Sequence, residues 1–306
     1  MSAPAHLLRW LLFCLCGIFL SRGTARGAEH DVSLSVEPGW LAIRNVPVGQ
    51  HYEVEARTRI SFKAHNGSNK PRRYRLKADK PEAVGVKVLK GYTGIPDPAW
   101  FWFETNEVAV PANGEGQTRM FLRIPDDEQY CNQKWAVGIG VEAMPEAGES
   151  LVLAVSPVFY IETESKAEVR KQPAGVLGVA PATILFDCAV NGTNRMLAPL
   201  HVYNNDNRPH LYRINTVIPS AEPGRQVITP THGFFWSPMA EWIVPGTRIL
   251  KIGPHAQETI LLSVDIPAAT GLRNQRLEGL IFIESEDGTS TFVRGQIRFP
   301  NDKGSE

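Results

Sequence analysis

One pattern occurs twice in this chain, in the same order and about 140 residues apart, and it constrains the fold more than any other feature. Asn66 with Tyr74-Arg75 returns as Asn204 with Tyr212-Arg213, at an offset of 138. Leu122-Arg123-Ile124-Pro125 returns as Val264-Asp265-Ile266-Pro267, and Asn132-Gln133-Lys134 as Asn274-Gln275-Arg276, both at 142. Kept order and a nearly constant offset predict two successive units of one architecture in a chain of 306 residues, long enough for two ordinary domains.

Within each unit the apolar residues alternate. Ile60, Phe62 and Ala64 share one face of a strand, and Tyr74, Leu76 and Ala78 oppose Arg73, Arg75 and Lys77. Thr118–Ile124 and Thr259–Ile266 behave likewise, and no stretch beyond the N-terminus sustains a helical period. Turn residues punctuate the runs: Asn66-Gly67, Asn113-Gly114, Asn191-Gly192 and Asp287-Gly288. Asp287-Gly288 predicts a hairpin of Leu277–Glu286 with Thr289–Phe299 around a two-residue turn, and Trp135–Ala143 returns through Ser150–Ile161. The expected class is all-β: two tandem immunoglobulin-like β-sandwiches, over residues 29–163 and 183–300, with a linker over 164–182. The linker carries a charged run, Glu164–Lys171, with room for a short helix at Lys166–Lys171.

Arg9, the apolar run Trp10–Leu20 and the small residues Ser21, Gly23, Thr24 and Ala25 predict a secretory signal peptide over residues 1–25. The run is shorter than the ~20 apolar residues of a comfortable membrane span, and an uncleaved anchor is the competing reading. Either way the unit that follows is expected outside the cytoplasm, periplasmic or secreted. Basic and acidic residues balance at 32 each, which argues against a nucleic-acid partner. Cys131 and Cys188 remain beyond the leader; in an oxidising compartment they would form a disulfide worth about 4 kcal/mol, or else stand as two buried thiols.

Val110-Pro111-Ala112-Asn113-Gly114-Glu115-Gly116-Gln117, the strand Thr118–Ile124, the run Trp135–Met144-Pro145 and the closing strand Leu151–Ile161 resemble the bacterial PapD-like periplasmic chaperone domain and other envelope immunoglobulin-like modules. The resemblance covers about Arg59 to Glu162 and implies an exported sandwich that binds protein. The second half departs from that family, because it looks like a repeat of the first. The family's paired basic anchors have no assignable positions here.

Three candidate surfaces follow. Trp100 and Trp102 alternate with Phe101 and Phe103, and Phe234-Phe235-Trp236 answers them in the second half. Such aromatics serve either as a platform for sugar rings or a partner's apolar side chains, or as inter-sheet packing. Arg73, Arg75 and Lys77 either hold an anion or form a solvated, edge-guarding face. Strand Ser150–Ile161, with Leu151, Leu153 and Val155 alternating, is the candidate edge for strand addition. No nucleophile elbow, phosphate loop, dinucleotide fingerprint or metal-ligand spacing is present in the sequence, so no catalytic residue, cofactor or metal is assigned. The expected function is a non-enzymatic interaction or scaffolding module of the envelope. A PapD-like chaperone and a glycan-binding module are the alternatives, and the expected partner is an envelope or extracellular protein.

Overall fold

The computed structural model describes residues 33–145, 153–170, 175–188, 194–219, 228–266, 272 and 274–299. The signal peptide over 1–25, Leu151 and Asn191 lie outside them. The first half contributes β1 (Leu34–Glu37), β2 (Trp40–Val46), β3 (His51–Glu53), β4 (Phe62–Asn66), β5 (Arg72–Asp79), β6 (Thr93–Gly94), β7 (Phe101–Phe103), β8 (Glu107–Val110), β9 (Glu115–Thr118), β10 (Met120–Arg123), β11 (Lys134–Ala143), β12 (Ala154–Val155) and β13 (Val158–Thr163). A five-residue helix, α1 (Val54–Thr58), follows β3. The second half contributes β14 (Gly175–Ala180), β15 (Thr183–Asp187), β16 (Asn194–Asn205), β17 (His210–Val217), β18 (Phe235–Trp236), β19 (Ile243–Pro245), β20 (Ile249–Ile252), β21 (Gln257–Ile266), β22 (Arg276–Ser285) and β23 (Ser290–Arg298).

The two halves repeat one topology. One sheet runs β2-β13-β11-β5-β8 in the first half and β15-β23-β22-β17-β20 in the second. In both, the outermost strand at one end pairs parallel with the last strand of its half, and a two-residue strand (β6, β18) pairs parallel with that last strand's antiparallel neighbour (β11, β22). The facing layer is β1-β4-β9 and β3-β10-β7 in the first half and β14-β16-β21-β19 in the second. The chain is a tandem of immunoglobulin-like β-sandwiches.

Several repeated residues have a geometric reason. Asn66 and Asn204 are buried turn pins. Each side-chain oxygen accepts the backbone N–H two residues on at 3.0 Å, and each amide caps carbonyls across the turn, such as Lys70 and Pro111, or Arg208 and Gly253. Asn132 and Asn274 sit at φ 61° and 59°, the left-handed region that asparagine tolerates, just before β11 and β22. Tyr74 and Tyr212 are buried core residues on equivalent strands.

Two local expectations change, and the cysteines follow one of the two readings left open for them. The Asp287-Gly288 hairpin closes with three residues rather than two. Ser285 N–H donates to Thr289 O at 2.8 Å and Gly288 takes φ 88°, the glycine position of a three-residue loop. Part of the expected linker, Gly175–Ala180, is strand β14 on β16, and no helix forms over Lys166–Arg170. Cys131 and Cys188 are free, buried thiols in separate cores. The Cys131 sulfur lies 3.7 Å from Glu164 Oε1 and that of Cys188 3.9 Å from Met196 Sδ; burial raises the pKa of both, Cys188 to about 11.

Each sandwich has its own core, and a third core lies between them. Inward residues of β11 and β13 (Trp135, Val137, Ile139, Phe159, Ile161) enter the first core, and Leu277, Ile281, Ile283, Val293 and Ile297 enter the second. The opposite faces of the same strands meet each other. Tyr92, Ala136, Val158 and Tyr160 of the first half pack with Ile228, Leu280 and Phe292 of the second. β13 is therefore buried along its whole length, and strict alternation fails there. Tyr92 is 4.7 Å from Tyr160 and 5.3 Å from Phe292, and Gly91, at φ 94°, leaves room beside Phe292 that a Cβ would fill at 2.6 Å.

Candidate functional site

The third core ends in charge. On the outward face of β23, Arg294 follows Phe292 by two residues and is 2% exposed; opposite it, Glu162 projects from the end of β13. Arg294 donates from Nε to Glu162 Oε2 at 2.7 Å and from Nη2 to Glu162 Oε1 at 2.6 Å, a bidentate pair across 132 residues. Its Nη1 donates to Glu278 Oε1 at 2.5 Å and to Thr229 O at 3.2 Å. Arg44 of β2 adds Nε to Glu162 Oε1 at 3.3 Å and ties down Thr229 O and Pro230 O, both at 2.9 Å. Tyr92 OH donates to Glu162 Oε1 at 2.7 Å. Glu278, fully buried, also accepts from Thr231 N–H and from Gln296 Nε2.

Burial on its own would raise the Glu162 pKa, but Arg294, Lys134 and Arg44 overcome it and hold the carboxyl well below its usual range. Burial would lower Arg294; Glu162 and Glu278 reverse that and push it up. Lys134 is the exception in this group. Burial pushes it down to about 8 against the pull of Glu162, and its Nζ sits 4.6 Å from the centre of the Phe292 ring.

This cluster floors a cleft of about 730 Å³ between the sandwiches. Arg44, Lys134, Glu162, Arg294 and Gln296 supply its polar lining, and Pro181, Ala182, Leu185, Ala198 and Pro199 its apolar lining, with Leu185 next to Gln296 on the neighbouring strand. Leu185 is 45% exposed on β15, the outermost strand of its sheet, with no strand on its outer edge among the described residues. Asn132 braces the segment beneath: its Oδ1 accepts Lys166 N–H and Ala182 N–H, both at 2.9 Å, and its Nδ2 donates to Lys166 O. The floor is thus a closed set of charge-assisted bonds, and the apolar lining is the part open to a ligand.

The surfaces expected from sequence are placed differently. Trp100 and Trp102 do not form one platform. Trp100 leans on Tyr130 at 4.9 Å and Trp135 at 5.6 Å against the first core, whereas Trp102 lies on the outer face of β7, beside Phe121 and His51. Phe101 and Phe103 point into the core as alternation requires. Arg73, Arg75 and Lys77 are exposed along β5; Arg75 lies 3.9 Å from Glu107, and Lys77 pairs with Asp79 at 2.5 Å. Arg73 borders a hollow of about 450 Å³ with Pro71, Val110 and Met144. The candidate edge strand is enclosed at its C-terminal end, where Val158–Thr163 pairs with β11 on one side and β2 on the other. Leu153 and Val155, half-buried, continue the ladder onto β11, and no strand pairs with their other side among the described residues.

Apart from Lys134, which belongs to the repeated Asn132-Gln133-Lys134, none of the charged cleft residues stood in a pattern. The available signal was continuous apolarity interrupted by single charges, as in Val158-Phe159-Tyr160-Ile161-Glu162 and Phe292-Val293-Arg294. A charge inside a strand whose two faces are both apolar must be paired in the folded state.

No protein-family model matches the chain, and no curated protein matches its sequence. Solved structures do match. A protein of unknown function from Porphyromonas gingivalis W83 aligns over 87% of this chain and 99% of its own, at 11% identity and a TM-score of 0.33. The Salmonella enterica SafA pilin in complex with the SafB chaperone aligns over 86% and 95%, at 12% identity and a TM-score of 0.31. The E. coli chaperone DraB aligns over 86% and 98%, at 10% identity and a TM-score of 0.29. The chain is similar to PapD-like periplasmic chaperones and immunoglobulin-like proteins at this level, and at such scores the likeness carries no inference about activity.

Proposed function

We propose that this protein is an exported, non-enzymatic interaction or scaffolding module of the cell envelope or extracellular space that holds an extended segment of a protein partner in the cleft between its sandwiches. The cleft carries this reading. Its lining includes Leu185 of an outermost strand, β15, with Ala198 and Pro199 nearby, so an incoming segment has a strand edge to pair with and apolar surface to cover. Glu162 in its floor and Glu278 buried beneath are both bound by Arg294, which leaves them as scaffold rather than as acid or base. Among the described residues no group of three or more metal-ligating side chains occurs, and no helix is long and apolar enough to cross a membrane. Among the described residues of the sequence-expected edge, residues 158–161 already have a strand on each side, which leaves residues 153–157 for strand addition.

The test is site-specific photo-crosslinking in native envelope or culture fractions. A crosslinker at Leu185 or Pro199 is expected to trap one protein species that a crosslinker at exposed Lys251 on β20 does not, and Ala198→Arg is expected to abolish it. Equal labelling from all three positions would reject the cleft as the binding site.

A further inference from the structure

The duplication supplies its own control for the outer face of β3, β10 and β7. Phe121 stands opposite Trp102 on adjacent strands, in the same register that places Ser263 opposite Val244 in the second half. The flanking inward pairs keep their kind: Met120 and Phe103 answer to Leu262 and Pro245, and Leu122 and Phe101 to Val264 and Ile243. The core therefore asks the same of both halves, while the fold does without aromatic rings at the outer positions. The shared register and inward packing thus do not require rings at Trp102 and Phe121.

They form a compact cluster with His51. The three ring centroids lie 5.2 to 5.7 Å apart, with the planes of Trp102 and Phe121 inclined by 21°. His51 is exposed, and Trp102 and Phe121 are half-buried. The rim is polar and ordered. Arg119 lies 5.6 Å from the Phe121 centroid, donates from Nε to Glu104 Oε2 at 3.0 Å and from Nη2 to Glu104 Oε1, and contacts Glu53 at 3.3 Å. The second half lacks this rim as well: the backbone bond from Glu104 N–H to Arg119 O has its counterpart from Gly246 N–H to Leu261 O.

We infer that this face is a saccharide-binding site, with the rings of Trp102, Phe121 and His51 receiving the C–H face of a neutral pyranose and Arg119, Glu104 and Glu53 meeting its hydroxyls. Three features select this class. A patch of three rings enclosed by charged side chains is smaller than the several hundred Å² of apolar surface that marks a protein interface. Arg119 is compensated by two carboxylates, so the rim offers fixed donors and acceptors rather than a net field for an ion. A rigid aromatic surface beside paired polar groups matches a ligand with one apolar face and a hydroxylated edge. This site is separate from the cleft and stands or falls without it.

The full-length protein is titrated by NMR with cellohexaose, maltohexaose and chitohexaose. At least one is expected to bind and to shift the Trp102 indole N–H, assigned through Trp102→Phe. The double variant Trp102→Val/Phe121→Ser, which copies the second half, is expected to bind at least tenfold more weakly with an unchanged circular dichroism spectrum. Arg119→Gln, which leaves the rings in place, is expected to weaken binding by severalfold and serves if the double variant does not fold. Ala198→Arg in the cleft is expected to leave sugar binding intact. Absence of binding by all three sugars, a shift confined to other tryptophans, or wild-type affinity in both rim and ring variants would overturn the assignment.

Discussion

The two halves agree on the inside of each sandwich and differ on the outside. Trp135 opposite Ile161 in the first half answers to Leu277 opposite Ile297 in the second, and both pairs fill their cores. On the reverse of the same strands, Lys134, Ala136, Val158, Tyr160 and Glu162 answer to Arg276, Glu278, Arg294, Gln296 and Arg298. One ion pair even changes sign. Arg44 with Glu162 on β2 and β13 corresponds to Asp187 with Arg298 on β15 and β23. The first is enclosed at the junction, whereas the second is about half exposed. Inner faces carry the fold, and outer faces decide what each sandwich meets.

The ion pairs give the sharpest way to break that comparison. Arg294→Ala leaves Glu162 and Glu278 buried without their shared partner and is expected to cost about 3–5 kcal/mol by urea unfolding. Arg298→Ala, in the exposed pair, is expected to leave the midpoint unchanged. Equal effects would mean that the junction cluster is no more buried in solution than the outer pair. Gly91→Ala is the next largest perturbation, since its Cβ would press on Phe292 at 2.6 Å from a backbone at φ 94°. A loss of about 1–3 kcal/mol is expected, read as a lowered melting temperature.

Lys134 sharpens the comparison through pH. Burial pulls it from the usual lysine value of 10.5 down to about 8, so between those values the unfolded chain holds a proton that the folded chain has released. The penalty is present in full below pH 8 and is relieved as pH rises. Wild type is therefore expected to gain stability relative to Lys134→Met from pH 8 to 10, and a flat difference would show the amine to be solvated. The smallest expected effect is at the aromatic face: Trp102→Val with Phe121→Ser should cost no more than about 1 kcal/mol, because the second half folds with those residues.

Much of the frame was legible from sequence because its signals are local. Tyr74 and Leu76 point inward while Arg73, Arg75 and Lys77 point outward, as their alternation requires. The repeated asparagines were legible as recurring positions, and the structure gives the reason: Asn66 and Asn204 pin turns, and Asn132 and Asn274 take left-handed backbone. The junction was harder to read because its contacts join residues 132 positions apart and carry no motif. Alternation also misled at Ser150–Ile161. Val158, Phe159, Tyr160 and Ile161 are all buried, since one side of the strand serves the first core and the other the third; that end is central, whereas residues 153–155 pair only with β11 among the described residues. Trp100 and Trp102 were paired by the same rule, but the chain turns through a short 3-10 segment at Pro98–Trp100, which sends Trp100 toward Tyr130 and Trp135.

Differential scanning calorimetry tests most directly whether the third core and its charge cluster make the two sandwiches one unit. Wild type should unfold in one transition with equal calorimetric and van't Hoff enthalpies, and Arg294→Ala should split it in two. Two separate transitions already present in the wild-type protein would contradict the account.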